Sequence, residues 1–161
     1  MIITREEVLQ ESMCLRSLKL ATAESCTGGL VSHRITNVSG SSEYFSGGIV
    51  SYSNEAKANL LGVSWDTLNA YGAVSQETVF EMARGAQKIF SADIGLSVSG
   101  IAGPTGAMPG KPIGTTWLGL STKTGEWARH FIWDGDREQN KQYSAEAALQ
   151  FVIAYLEGKL S

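Results

Sequence analysis

Short apolar strands alternate with amphipathic helices along most of this chain, and polar segments marked by glycine either follow those strands or interrupt them. This alternation constrains the fold more than any other feature, because strands separated by helices build parallel sheet with helices on its faces. Leu18 to Ala23 reads as a short buried strand. It runs into Glu24-Ser25-Cys26-Thr27-Gly28-Gly29 and then into a helix through Leu30, Val31 and Ile35. Tyr44 to Ser53 reads as a second strand, with Gly47-Gly48 inside it marking a bulge or a close backbone approach. Ile94 to Ser99 is a third, followed by the glycine- and proline-rich stretch 100–114. Thr115 to Leu120 and Glu126 to Trp133 read as a hairpin through Thr124-Gly125.

Helices are expected over 3–18, capped by Thr4; from Asn54 to a stop at Gly62; from a Ser75 cap onward; and over roughly 138–157. The pattern predicts an α/β layered fold with a mixed sheet. The length, 161 residues, fits one domain over 1–161.

Several function classes are disfavoured. A net charge of -3 with scattered Lys and Arg provides no basic footprint for direct nucleic-acid binding. There is no apolar run long enough for a membrane span and no leader-like start, so a cytoplasmic location is expected. Cys14 and Cys26 have no metal-like spacing and read as free thiols; no metal is expected. Gly100 to Gly106 lacks the spacing of a dinucleotide loop, and Gly110-Lys111-Pro112 is not a triphosphate loop, since no Ser or Thr follows the lysine.

The three glycine-marked segments, 24–29, 41–57 and 99–114, would meet if the strands are parallel, because ligands collect outside the carboxyl ends of such strands. Segment 41–57 is the richest, with Ser42, Ser46, Ser51, Tyr52, Ser53 and Lys57. A serine needs a base to become a nucleophile, and a desolvated lysine serves. His33 and His130 lie within regular elements and lack a triad-like order, so a Ser–Lys pair is easier to support than Ser–His–Asp. Lys57 falls in the first turn of its helix, where the dipole disfavours its charge. Arg137, before the last helix, would present a cation to an anion, with Lys141 one turn later.

These strings carry a resemblance. Thr22 to Gly29, Gly40-Ser41-Ser42 with Gly47 to Lys57, Tyr71 to Ser75, Val98 to Pro104, Lys111 to Trp117 and Gly135-Asp136-Arg137 follow in order the signatures of the CinA C-terminal-domain family. The resemblance runs from about residue 15 to the carboxyl terminus. It implies an αβα sandwich, a homodimer, and a stand-alone form like the separate nicotinamide mononucleotide deamidases. The implied reaction is hydrolysis of that nucleotide's amide to nicotinic acid mononucleotide and ammonia, with no metal or other cofactor.

By position, the resemblance implies Ser42 as nucleophile and Lys57 as its general base, with Ser25 as a rival nucleophile that spacing does not separate from Ser42. Ser25 and the Thr27-Gly28-Gly29 amides would hold the carbonyl oxygen or the base. Tyr52 would relay a proton or flank the ring. Ser99, Gly100 and the backbone to 106 would line base or ribose, and Arg137 would take the phosphate. Lys141 stands where relatives commonly carry arginine, and lysine lacks the bidentate fork. A catalytically silent relative that binds a pyridine nucleotide as a sensor or partner module is the alternative reading. A DNA role, suggested by the family's competence-linked name, is opposed by the acidic composition.

Overall fold

A capping box starts the chain's first helix: Thr4 accepts the Glu7 amide, and the Glu7 side chain accepts the Thr4 amide in return. The computed structural model describes residues 2–160. In order, the elements are α1 (Arg5–Leu15), β1 (Leu20–Glu24), α2 (Leu30–Thr36), a single 3₁₀ turn (Ser41–Glu43), β2 (Phe45–Val50), α3 (Asn54–Leu61), α4 (Trp65–Tyr71), α5 (Gln76–Ile89), β3 (Ile94–Gly100), β4 (Thr115–Thr122), β5 (Glu126–Ile132) and α6 (Arg137–Leu156).

The strands form one sheet in the order β2-β1-β3-β4-β5. The first three are mutually parallel, and β4 and β5 complete the sheet antiparallel. The expected mixed α/β sheet is therefore present. The register slips by one residue between Leu20 opposite Phe45 and Ala21 opposite Gly47, which is the bulge that the two glycines foretold.

Strand periodicity sorts the two layers. Leu20, Ile94, Leu96, Val98, Leu118 and Leu120 face α1, α2 and α6, where Leu9, Met13, Ile35, Leu149 and Val152 complete one core. Ala21 and Ala23 face the other way and pack with Val79, Met82 and Ala86 of α5 and with Leu61 and Leu68 of α3 and α4. On this second face the sheet is built of small residues so that α5 can sit close. A Cβ on Gly95 would come within 2.1 Å of the Ala83 carbonyl oxygen, and one on Gly119 within 2.5 Å of that of Val79. Helices on both faces make the αβα sandwich.

Two local expectations differ. Ser53, not Asn54, caps α3, accepting the Ala56 amide. The helix α4 was not foreseen; it is held by the Ser64 hydroxyl, which accepts the Asp66 amide. No helix among the described residues is long and apolar enough to cross a membrane.

This topology gathers the carboxyl ends of β1, β2 and β3 at one edge of the sheet. Since β5 runs parallel to β3, its carboxyl end lies there too, and α6 begins beside them at Arg137.

Candidate active site

Alternation along β1 sends consecutive side chains to opposite layers. Glu24 turns toward α2, where its carboxylate is bonded, and Ser25, just past the strand, turns toward α3. The Ser25 amide donates to the Val98 carbonyl, pinning the residue between β1 and β3. Its hydroxyl lies 2.9 Å from Lys57 Nζ.

Lys57 reaches there from the first turn of α3 and is 1% exposed. Its amine also donates to the carbonyls of Ser51, at 2.8 Å, and Tyr52, at 3.2 Å. Among the described residues no carboxylate forms an ion pair with it. Burial without a counter-charge lowers its pKa from 10.5 to about 8. Two of the three amine bonds go to backbone carbonyls, which a neutral amine satisfies with its two N–H groups. Its lone pair is then left for the Ser25 hydroxyl.

Ser42 is not in this place. It is exposed in the 3₁₀ turn that precedes β2, whereas Lys57 follows that strand. The six residues of β2 at ~3.3 Å each put the two roughly 20 Å apart. The Ser42–Lys57 pairing is therefore replaced by Ser25–Lys57.

The turn after Ser25 is tight. Gly28 (φ 62) and Gly29 (φ 104) both occupy the left-handed region that glycine tolerates best. The Thr27 hydroxyl is buried and donates to Glu24 at 2.6 Å. The amides of Cys26, Thr27 and Gly29 find no acceptor within the described chain, while those of Gly28 and Leu30 bond to Ser25 and Thr27 carbonyls. Cys26 is a buried free thiol, and burial pushes its pKa up to about 12, which leaves it un-ionised and a poor nucleophile.

A hollow of about 190 Å³ opens over Ser25 and Lys57 and is walled by Ser99, Gly100 and Val74. Ser99 is committed to structure, its hydroxyl donating to the Ala73 carbonyl at 2.8 Å. At Gly100 a side chain would crowd Thr116 Oγ1 at 2.7 Å and Cys26 Sγ at 3.1 Å. Tyr52 is 60% exposed and stands at the rim, where its hydroxyl accepts from Arg137 Nη2 at 3.0 Å. Arg137 Nη1 donates to the Gly103 carbonyl. The Arg137 guanidinium thus spans from β2's end to the loop after β3.

Beyond Arg137 lies a groove of about 920 Å³ that shares Ala102 and Arg137 with the hollow and is also lined by Lys141, Glu138, Pro104 and Ile113. Lys141 Nζ is 3.8 Å from where a Gly28 Cβ would stand, so it leans over the turn. Every expected site residue except Ser42 is therefore at this edge of the sheet. The acceptors that hold Lys57, the Ser51 and Tyr52 carbonyls, were missed, because backbone oxygens leave no mark in residue type. Glu24 was missed as well; its signal is a carboxylate at the end of an apolar strand, ahead of a helix that starts on glycine.

The fold and the site define a class: an αβα domain carrying a buried serine–lysine pair at the carboxyl ends of three parallel strands. The chain belongs to the CinA family, whose C-terminal-domain model matches residues 3–156. A CinA-like protein of Chlorobium limicola is 47% identical over 159 residues, covering 96% of this chain and 37% of that protein. Another, from Salinibacter ruber, is 43% identical over 148 residues, 92% of this chain and 36% of that protein. The chain thus spans little more than a third of the curated relatives it matches. Among solved structures, a competence-damaged protein (CinA) superfamily protein of Klebsiella pneumoniae 700603 superposes with a TM-score of 0.91 at 30% identity, covering 97% of this chain and 99% of that one. The competence/damage inducible protein CihA of Agrobacterium tumefaciens gives 0.85 at 35% identity, with 98% of each chain covered.

Proposed function

We propose that this domain hydrolyses the carboxamide of nicotinamide mononucleotide to nicotinic acid mononucleotide and ammonia, with Ser25 as nucleophile and Lys57 as its base. The observation that carries this reading is the 2.9 Å contact between a serine hydroxyl and a buried lysine that has no carboxylate partner among the described residues. Family membership is consistent with amidase chemistry, and the two hollows suit a small reacting head with a larger polar tail. About 190 Å³ over Ser25 is less than whole-ligand pockets occupy, so it takes the ring and its amide; the adjoining groove, with Arg137 and Lys141, takes sugar and phosphate.

In this mechanism neutral Lys57 accepts the Ser25 proton as Oγ attacks the amide carbon. The carbonyl oxygen becomes an oxyanion stabilised by unpaired amides at the start of the 26–29 turn, where Cys26 lines the hollow. The Lys57 ammonium then returns its proton to the leaving nitrogen, the C–N bond breaks, and ammonia departs. Water, deprotonated by Lys57, attacks the acyl-serine; the acid leaves and Ser25 is restored. The same reading places the enzyme in the cytoplasm as a homodimer acting on a small nucleotide, not on nucleic acid.

The test is incubation of the purified protein with the nucleotide, with and without a chelator, following ammonia and the acid by chromatography. Product in both tubes supports a deamidase that runs on its own side chains. No product, with a rise in melting temperature on adding the nucleotide, would instead indicate a silent binding relative.

A further inference from the structure

Glu24 is a carboxylate that the mechanism above does not use, and it is 1% exposed. Among the described residues no Lys or Arg pairs with it. Four donors converge on it instead. Oε1 accepts from the Thr27 hydroxyl at 2.6 Å and the Val31 amide at 2.9 Å. Oε2 accepts from the Ser32 amide at 3.0 Å and the Ser32 hydroxyl at 2.7 Å. Its own carbonyl accepts from the Ser51 amide at 2.8 Å, and Ser51 is the residue whose carbonyl holds Lys57.

The reason for this convergence lies in the helix start. The N-cap of α2 is Gly29, at φ 104, and it has no side chain to satisfy the first-turn amides. Serine, threonine or aspartate ordinarily does that job. The Gly28-Gly29 bend excludes such residues, since two successive left-handed positions strain any side chain. Glu24 caps α2 from the preceding strand, and it ties Thr27 down at the same time. The bend can therefore keep the Cys26, Thr27 and Gly29 amides without internal partners and still be rigid.

We infer that Glu24 is a positioning residue of the reaction: its carboxylate, clamped between Thr27 and the start of α2, fixes the turn whose free amides receive the oxyanion. This rests on the Ser25 mechanism proposed above. It makes a distinct demand, because amides that meet charge only in the transition state govern kcat and leave substrate binding alone.

The experiment uses the full chain with Glu24→Gln and Ser32→Ala. Two quantities are read for each: steady-state turnover of nicotinamide mononucleotide, and the rate at which a fluorophosphonate labels Ser25, followed by intact mass. In the labelling, Ser25 Oγ bonds to phosphorus, fluoride leaves, Lys57 takes the serine proton, and the phosphonyl oxygen sits where the oxyanion would. Glu24→Gln should lower kcat by about 30-fold, less than the roughly 10²- to 10³-fold cost of removing an oxyanion donor outright because the amides are displaced and not deleted, with KM within about twofold and labelling slowed in step. Its pH profile should keep the Lys57 inflection. Ser32→Ala, which removes one of the four bonds, should lower both rates by roughly three- to tenfold.

Wild-type kcat and labelling in Glu24→Gln would overturn the inference, as would a loss confined to KM. If Glu24→Gln does not fold, Ser32→Ala decides alone: unchanged rates overturn the inference and slowed rates support it. A wild-type protein that is labelled on Ser25 but does not turn over the nucleotide sinks the deamidase reading, and the labelling rates of the variants then judge Glu24 by themselves.

Discussion

Lys57 meets Ser25 at 2.9 Å from a helix 32 residues further along the chain, and among the described residues no carboxylate pairs with it. That isolation sets the chemistry. A lysine paired with an acid stays an ammonium at neutral pH and is a poor base. A lysine buried against two carbonyls and a hydroxyl gives up its proton more readily, and burial brings this one to about 8. The same amine, once protonated by Ser25, is placed to act as the acid for the leaving group, so one residue serves both halves of an amide cleavage.

The pairing separates two serines sharply. Ser25→Ala removes the hydroxyl that meets Lys57 Nζ and should reduce nucleotide hydrolysis by at least about 10³-fold, while Ser42→Ala, exposed at the far end of β2, should stay within about twofold of wild type. Ammonia release by both variants, with circular dichroism to verify folding, decides. Equal losses in the two would remove Ser25 from the nucleophile's role.

The separation of Ser42 from Lys57 has a plain physical origin. Ser42 and Lys57 flank the segment 44–53 that already read as an extended strand, and a strand carries its ends apart at ~3.3 Å per residue. Two residues on either side of one strand do not meet. What does meet is the end of one parallel strand and the start of the helix after its neighbour, which is Ser25 and Lys57. The α/β alternation, the glycine bulge in β2 and the Thr4 and Ser75 caps were all legible because they follow from periodicity and from residue types with narrow backbone roles. The short helix α4 was not, since seven residues carry too few periods to register. Nor were the Ser51 and Tyr52 carbonyls, which any residue type would supply.

The free-amine form of Lys57 is the reactive one, so kcat/KM should rise with pH and level off above about 8. At pH 7 roughly one tenth of the lysine is neutral, and the rate should be near a tenth of its plateau. Lys57→Arg, which does not deprotonate in this range, should be inactive throughout. A profile flat between pH 6 and 9 would show that Lys57 does not act as the base.

Burying an ammonium also costs stability, and the sign follows from the pKa difference. The folded value, about 8, lies below the ordinary 10.5, so between those values the unfolded chain binds more protons and stability climbs as pH rises. Below pH 8 both states are charged and the full penalty is present, at most about 3 kcal/mol. Lys57→Met should therefore be inactive but melt roughly 3–8 °C higher than wild type at pH 7, with the gap closing toward pH 10. Calorimetry at the two pH values checks this; a gap that does not change with pH would assign the effect to packing.

Arg137 and Lys141 lie one turn apart on α6 and line the groove beyond the catalytic hollow, so their charge should act on binding and not on bond breaking. Arg137 also bonds the Tyr52 hydroxyl and the Gly103 carbonyl, which holds its guanidinium in place before any ligand arrives. A charge held in advance loses less freedom on binding than a free one. Arg137→Ala should therefore raise KM for the mononucleotide by tenfold or more, about 1.4 kcal/mol, with kcat changed much less. Lys141→Ala should raise it by a smaller factor, because a lysine approaches a phosphate as a point charge and not as a fork. The control is nicotinamide riboside, which has the ring, amide and sugar but no phosphate. Its kcat/KM should be nearly the same in wild type and both variants. If Arg137→Ala weakens nucleotide and riboside hydrolysis equally, the guanidinium is holding Tyr52 and the rim of the hollow and is not binding the phosphate.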